Sequence, residues 1–186
     1  MRIIAGSLKG RRLESPAWEG LRPTSDKLRE TLFNVLASKF SGIPGPRVLD
    51  GYAGTGAVGI EAISRGASHV TFVERDRRAQ QLIAANLARC RIAGGYVIIG
   101  STVLQAIDAL RSEPPFDLVL LDPPYDGPHD DTQNVLEAVG AIVPATGVVV
   151  LEHARRHRPA DAAGALRRSR ELTSGDSALT FYTCQP

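Results

Sequence analysis

Residues 47–59 read RVLDGYAGTGAVG. The segment RVLD has the length and apolar content of a buried strand. Gly54, Gly56 and Gly59 follow it, and glycine tolerates backbone angles that other residues resist. The run AVGIEAISRG (57–66) then continues as a helix. A strand, a glycine loop and a helix in that order open a βαβ unit.

Moving outward from this loop, the alternation repeats. HVTFVE (69–74) reads as a second strand, and RRAQQLIAANLARCRI (77–92) as an amphipathic helix. YVIIG (96–100) is a third strand, 102–111 a helix and FDLVLLD (116–122) a fourth strand. Residues 130–142 form a helix and GVVVLEH (147–153) a fifth strand. Continuous apolar strands alternating with helices imply a parallel sheet covered on both faces. The end of the chain differs: ALRRSREL (165–172) and SALTFYTC (177–184), joined at Ser174-Gly175-Asp176, read as a β-hairpin.

Upstream, residues 2–14 read as two short strands around a turn near Lys9-Gly10. SPAWEGLRP (15–23) is a connector. Thr24 or Ser25 then caps a helix whose apolar positions Leu28, Leu32, Phe33, Val35 and Leu36 recur at helical spacing to about Lys39. SGIPGP (41–46) marks a boundary, so residues 1–41 are expected to form an appendage and 42–186 the main domain.

The 186 residues contain 43% hydrophobic and 23% charged side chains, which excludes a disordered chain and leaves room for one principal core. No apolar run reaches the roughly 18–20 residues of a membrane helix, and the charged start lacks a signal-peptide core, so a cytoplasmic protein is expected. Cys90 and Cys184 read as two reduced thiols, and the four His show no ligand spacing, so no metal is assigned. The net charge is only +2, but residues 1–29 hold seven basic side chains against three acids. That arm carries +4 and the remainder −2, a distribution that suits a polyanionic partner. Of 22 basic residues 19 are Arg, whose planar fork suits phosphate, although GC-rich coding produces the same excess. Arg2, Lys9, Arg11 and Arg12 are read as phosphate contacts. Arg22, Thr24, Lys27 and Arg29 are read as RNA or cofactor-lid contacts, the alternative being a solvated helix start. Six Arg between 155 and 170 read first as a solvated face, and Trp18 as packing of the arm on the body.

The pattern Gly54-x-Gly56-x-x-Gly59 matches a dinucleotide fingerprint, which alone is a weak signal. Here, however, Asp50 ends the strand and three residues precede Gly54. A carboxylate there repels a pyrophosphate but accepts from an ammonium. S-adenosylmethionine has an ammonium and a sulfonium and no phosphate. Glu74, at the end of the second strand, is placed to accept from two ribose hydroxyls. The remaining alternative is a plain strand–helix turn.

A second site follows the fourth strand, at Asp122-Pro123-Pro124-Tyr125. Ligands of open α/β folds bind at the carboxyl ends of the strands. Two prolines end the ladder and stiffen the backbone. The Asp122 carboxylate and the Pro123 carbonyl can then accept both hydrogens of one exocyclic amine and aim its lone pair at an electrophilic methyl. Tyr125 offers a ring on which a base stacks, an interaction of roughly 1–3 kcal/mol. The alternative is a proline turn after a core strand.

VLDGYAGTGAVGIEAISRGA, FVERD and LDPPYD together resemble class I S-adenosylmethionine-dependent methyltransferases of exocyclic amines. With RIIAGSLKGRRL, RPTSDKLRETLFNVL (22–36) and SGDSALTFY, the whole chain resembles the bacterial 16S rRNA guanine-N2 methyltransferase (RsmD) family. The resemblance implies a Rossmann-like seven-stranded sheet with an antiparallel last strand, plus an N-terminal hairpin and helix that bind RNA. It implies that Asp50, Tyr52, Ala53, Gly54, Thr55, Gly56, Glu74 and Arg75 bind the cofactor, and that Asp122 to Tyr125 bind the target base. It implies a monomer acting on one guanine of 16S rRNA, within the 30S subunit or an assembly intermediate. One departure stands out: Ser101-Thr102 occupy the place of an Asp that would contact the adenine amine, which leaves a hydroxyl such as that of Thr102 for this role. Methylation of DNA adenine N6 or of a protein glutamine, and a non-catalytic RNA-binding assembly factor, are the competing readings.

Overall fold

The computed structural model describes residues 1–16, 18, 26–39, 45–124 and 129–185. They cluster into two compact units, Met1–Gly100 and Ser101–Pro186. Tyr125, Arg22, Thr24 and the cap at Thr24 or Ser25 lie outside the described residues.

The first unit holds α1 (Asp26–Lys39), β1 (Arg47–Gly51), α2 (Ala57–Ser64), β2 (His69–Val73), α3 (Arg77–Arg89) and β3 (Tyr96–Ile99). Its strands are parallel in the order β3-β2-β1, with Val48 opposite Val70 and Val70 opposite Tyr96. Val48, Leu49, Val70 and Phe72 are all buried, which is why β1 and β2 read as continuous apolar runs. Asp76 caps α3, its carboxylate accepting from the Arg78 N–H at 2.8 Å.

The second unit holds α4 (Val103–Leu110), β4 (Leu118–Leu121), α5 (His129–Val139) with a 3-10 turn at Gly140–Ile142, β5 (Val148–Ala154), β6 (Ala162–Ala163), β7 (Leu166–Ser174) and β8 (Ser177–Cys184). Here the strand order is β4-β5-β8-β7-β6. β4 and β5 are parallel, and the last strand, β8, inserts antiparallel beside β5 as expected. Gly175, at φ 59°, turns the β7–β8 hairpin, and Ser174 pairs with Ser177 across it.

Two expectations need correction. Among the described residues there are eight strands, not seven. The extra one, β6, is a two-residue edge turned back onto β7 through Gly164 at φ 56°, too short to leave a pattern in the sequence. The N-terminal hairpin is also reduced to one bridge, Arg2 opposite Arg12, flanked by the bonds Ile3 N–H to Arg11 C=O and Gly10 N–H to Ile3 C=O, both 2.9 Å. The reason is competition for donors. Ile4 and Ala5 donate their N–H groups to Glu61 of α2 at 2.8 and 3.0 Å, and Ser7 and Leu8 donate to Ser64. Beyond those few bonds the arm is therefore held by helix α2 and not by a longer ladder of its own.

Both cysteines are free. Among the described residues no helix is long and apolar enough to cross a membrane.

Candidate active site

The glycine loop of the first unit is held from three sides. Ala53 donates its N–H to the Val73 carbonyl at 3.0 Å. Gly54 donates to Glu74 Oε2 at 2.9 Å, while Glu74 Oε1 accepts from Asp76 at 2.8 Å. The buried Asn86 of α3 donates to the Thr55 carbonyl at 3.0 Å. Tyr52, Gly54 and Gly56 all have positive φ, so the loop backbone is sharply folded. Gly59 serves packing instead. A Cβ there would lie 2.3 Å from the Phe72 ring, so glycine lets α2 sit directly on β2.

Asp50 is buried, and its Oδ2 accepts from the Gly59 N–H at 2.8 Å. Burial raises its pKa to about 7; the Gly59 bond works against that rise and the neighbouring Glu74 charge adds to it. Each Glu74 oxygen has one backbone partner, and a carboxylate has about four acceptor positions, so it retains capacity for further donors. Asp50, Tyr52 to Gly56 and Glu74 are thus brought together in one unit, with Arg75 exposed beside them.

Thr102 belongs to the second unit, where it caps α4. Its hydroxyl donates to Gln105 Oε1 at 3.0 Å and accepts from the Gln105 N–H at 3.4 Å. With its proton committed, Thr102 can offer a ligand only an acceptor.

β4 is buried along its whole length, with Leu118 to Leu121 paired to Val148 to Leu151 of β5. Asp122 and Pro123 follow it half-buried, and Pro124 is exposed. Pro123 and Pro124 line a cavity of about 500 Å³ with Gln133, Glu152, His153 and Arg158. His153 Nδ1 lies 3.0 Å from the Ala154 carbonyl, which can only accept, so Nδ1 is the donor of that bond, and Nε2 lies 2.9 Å from the Thr180 hydroxyl. The Tyr182 hydroxyl, pushed up to about 12 by burial, donates to the Ala160 carbonyl at 2.8 Å and pins the segment after β5. Glu152 and His153 carry no signal of a site in the sequence, where they read as the end of a core strand.

The side chains of the basic arm fall into two groups. Arg2, Lys9, Arg12 and Lys27 are exposed. Arg11 is half-buried and donates to the Cys90 carbonyl at 2.7 Å. Arg29 differs from the expected surface contact: it is 0% exposed and donates to the Arg2 carbonyl and to Asp26, each at 2.7 Å. Its guanidinium anchors α1 to the arm and is not a surface contact; burial lowers its pKa. The arm meets α3 at Arg89, which pairs with Glu14, and at Asn86, which accepts from the Glu14 N–H at 2.7 Å. Arg11 and Arg12 then share an open cleft of about 380 Å³ with Arg89 and Arg91. The last two carry no sequence signal, being scattered charges at the end of a helix. Trp18 packs as expected, under the Arg78 guanidinium of α3 at 5.2 Å.

Among the described residues no group of three or more His, Cys, Asp and Glu is placed to hold a metal.

Relatives match over much or nearly all of the chain. The putative rRNA methyltransferase YlbH of Bacillus subtilis is 34% identical over 183 residues, 98% of each chain. The ribosomal RNA small subunit methyltransferase D of Escherichia coli K12 is 40% identical over 141 residues, 75% of this chain and 68% of that protein. The solved putative methyltransferase yhhF from Escherichia coli aligns with a TM-score of 0.80 at 34% identity, covering 100% of this chain and 98% of that one. The fold is accordingly that of the class I methyltransferases. The family described as Conserved hypothetical protein 95 matches residues 1–183, and the chain belongs to that family.

Proposed function

We propose that this protein is an S-adenosylmethionine-dependent methyltransferase of ribosomal RNA, and that its acceptor is the exocyclic N2 amine of one guanine in 16S rRNA. The observation that carries this reading is Asp122-Pro123-Pro124 at the end of a fully buried strand, its two prolines lining a cavity, in a chain whose relatives are named rRNA methyltransferases.

The residues of the first unit fit the cofactor. Asp50 is a buried carboxylate with a single backbone donor, so a cation is the partner its surroundings lack. The loop carries no group that would neutralise a pyrophosphate, and Glu74 keeps lone pairs for hydroxyls. S-adenosylmethionine supplies an electrophilic methyl on a sulfonium. The protein's share is to position the nucleophile: Asp122 and the Pro123 carbonyl accept the two amine hydrogens, orienting the nitrogen and opposing delocalisation of its lone pair into the ring. Residues 1–41 serve as the RNA-binding extension of a catalytic domain at 42–186, in a cytoplasmic enzyme acting as a monomer. Mass spectrometry of 16S rRNA after incubation with unmodified 30S subunits tests the proposal. One new N2-methylguanine is expected, and no methylated guanine overturns it.

Asp50 makes cofactor binding pH-dependent. The folded protein keeps its proton up to about pH 7, whereas the unfolded chain loses it near the ordinary 3.8. Between these values the folded state holds more protons, so Asp50's contribution to stability falls as pH rises. An ammonium pairs only with the ionised form, so cofactor affinity should rise with pH by up to about tenfold per unit below 7 and level off above it. Calorimetry between pH 5.5 and 8 checks this. Asp50→Asn should abolish the dependence.

The arginine cleft sets the salt dependence of RNA binding. Replacing Arg12 and Arg91 together by Glu should weaken binding to rRNA by roughly tenfold or more and reduce the salt slope by about two. Cofactor affinity should not change. Filter binding between 50 and 300 mM salt, an interval of about sixfold in which a change of slope of about two is measurable, decides it.

A further inference from the structure

Among the described residues that line the cavity beside Pro123 and Pro124, one is an acid: Glu152, at the end of β5, where it is 9% exposed. Donors occupy the same lining: Gln133 of α5 and Arg158 of the segment that follows β5. The volume of about 500 Å³ accommodates a purine nucleotide. The amines that an Asp-Pro-Pro-Tyr motif can serve differ in what lies next to them. In guanine the ring atom beside the amine carbon is N1–H, a donor. In adenine and cytosine the neighbouring ring nitrogens on that edge are acceptors, and a glutamine amide has no ring. A carboxylate adjoining the amine site therefore suits guanine and repels the other two bases. The donors complement the acceptors O6 and N7 of the same base.

We propose that Glu152 reads the target base by accepting the N1–H of guanine, while Arg158 faces its acceptor edge. This rests on the guanine-N2 reading above and adds the residue that enforces it. Removing a hydrogen bond to a charged group costs on the order of 10- to 100-fold in binding.

The test compares wild type, Glu152→Ala and Glu152→Gln on 30S particles reconstituted with guanine or 2-aminopurine at the modified position. 2-Aminopurine keeps the amine but lacks N1–H and O6. Wild type should favour guanine by about tenfold or more in kcat/KM. Glu152→Ala should lose about 10- to 100-fold on guanine with little change on 2-aminopurine, so that the preference collapses. Glu152→Gln keeps an acceptor oxygen and should fall between the two. Equal losses on both bases, with cofactor affinity and melting temperature retained, would assign Glu152 a structural role and overturn the proposal. So would full activity of Glu152→Ala on guanine. If wild type binds cofactor but methylates neither particle, the guanine-N2 reading itself fails, and the base-reading role falls with it.

Discussion

Asp122→Ala should abolish methyl transfer to rRNA while S-adenosylmethionine still binds. Asp122 sits where β4 ends, and its position is stiffened from both sides. Behind it, Leu118 to Leu121 are buried and paired along β5. Ahead of it, Pro123 and Pro124 fix their own φ angles and restrict the residue before each. The carboxylate is thereby preorganised as an acceptor, so that little reorganisation is needed when the amine loses its conjugation with the ring. Removing a preorganised polar group of this kind costs about 10²- to 10³-fold in rate. Asp122→Asn retains one acceptor oxygen and should be intermediate. The contacts assigned to the cofactor come from Asp50, the glycine loop and Glu74, so its affinity should be unchanged. Single-turnover methylation of 30S subunits, with calorimetry of cofactor binding on the same variants, separates the two effects. Full transfer by Asp122→Ala would rule out the mechanism.

The second large effect is on stability. Glu61 is fully buried in α2, where it accepts from Ile4 and Ala5 and from Arg65 Nε at 2.8 Å. Glu61→Ala would orphan two backbone donors and leave a guanidinium that is 20% exposed without its carboxylate. Breaking a buried pair on one side costs about 3–5 kcal/mol. For a chain of this size that corresponds to a fall in melting temperature on the order of 10 °C. The arm should become sensitive to proteolysis before the body unfolds, because Ile4 and Ala5 are bonded to Glu61 in place of a partner strand. Glu61→Gln keeps one acceptor and should recover part of the loss. Thermal unfolding and timed digestion measure both; an unchanged melting temperature for Glu61→Ala would contradict this account of how the arm is held.

Where the signal is local, sequence and structure agree. Val48-Leu49, Leu118 to Leu121 and Val148 to Val150 are apolar at every position, and each run is a strand buried on both faces. Gly54 and Gly56 mark the loop, and both have positive φ there. Gly175 marks the last turn. These features depend on residues within one or two turns of chain, so the order of elements, the loop after β1 and the proline motif after β4 are all legible in sequence. The candidate site is legible to the same extent: its glycines, its strand-terminal acids and Asp122 stand next to the elements that present them.

Other features depend on residues far apart in the chain, and only tertiary structure decides them. Arg29 reads as one more charge of a basic arm, yet the Arg2 carbonyl, 27 residues away, takes its guanidinium into the interior. Asn86 is an ordinary polar residue of a helix until Glu14, 72 residues before it, arrives as its partner. Arg89 and Arg91 become part of a cleft only once Arg11 and Arg12 are laid beside the end of α3. Glu152 becomes a candidate reader of bases because β5 ends beside the prolines that follow β4. Periodicity and turn chemistry act over a few residues, so the sequence by itself determined which elements form and where their chemical groups stand along the chain. Which charges are buried as anchors and which remain open to a polyanion depends on distant segments coming together and losing their water, and that was decided by the tertiary structure alone.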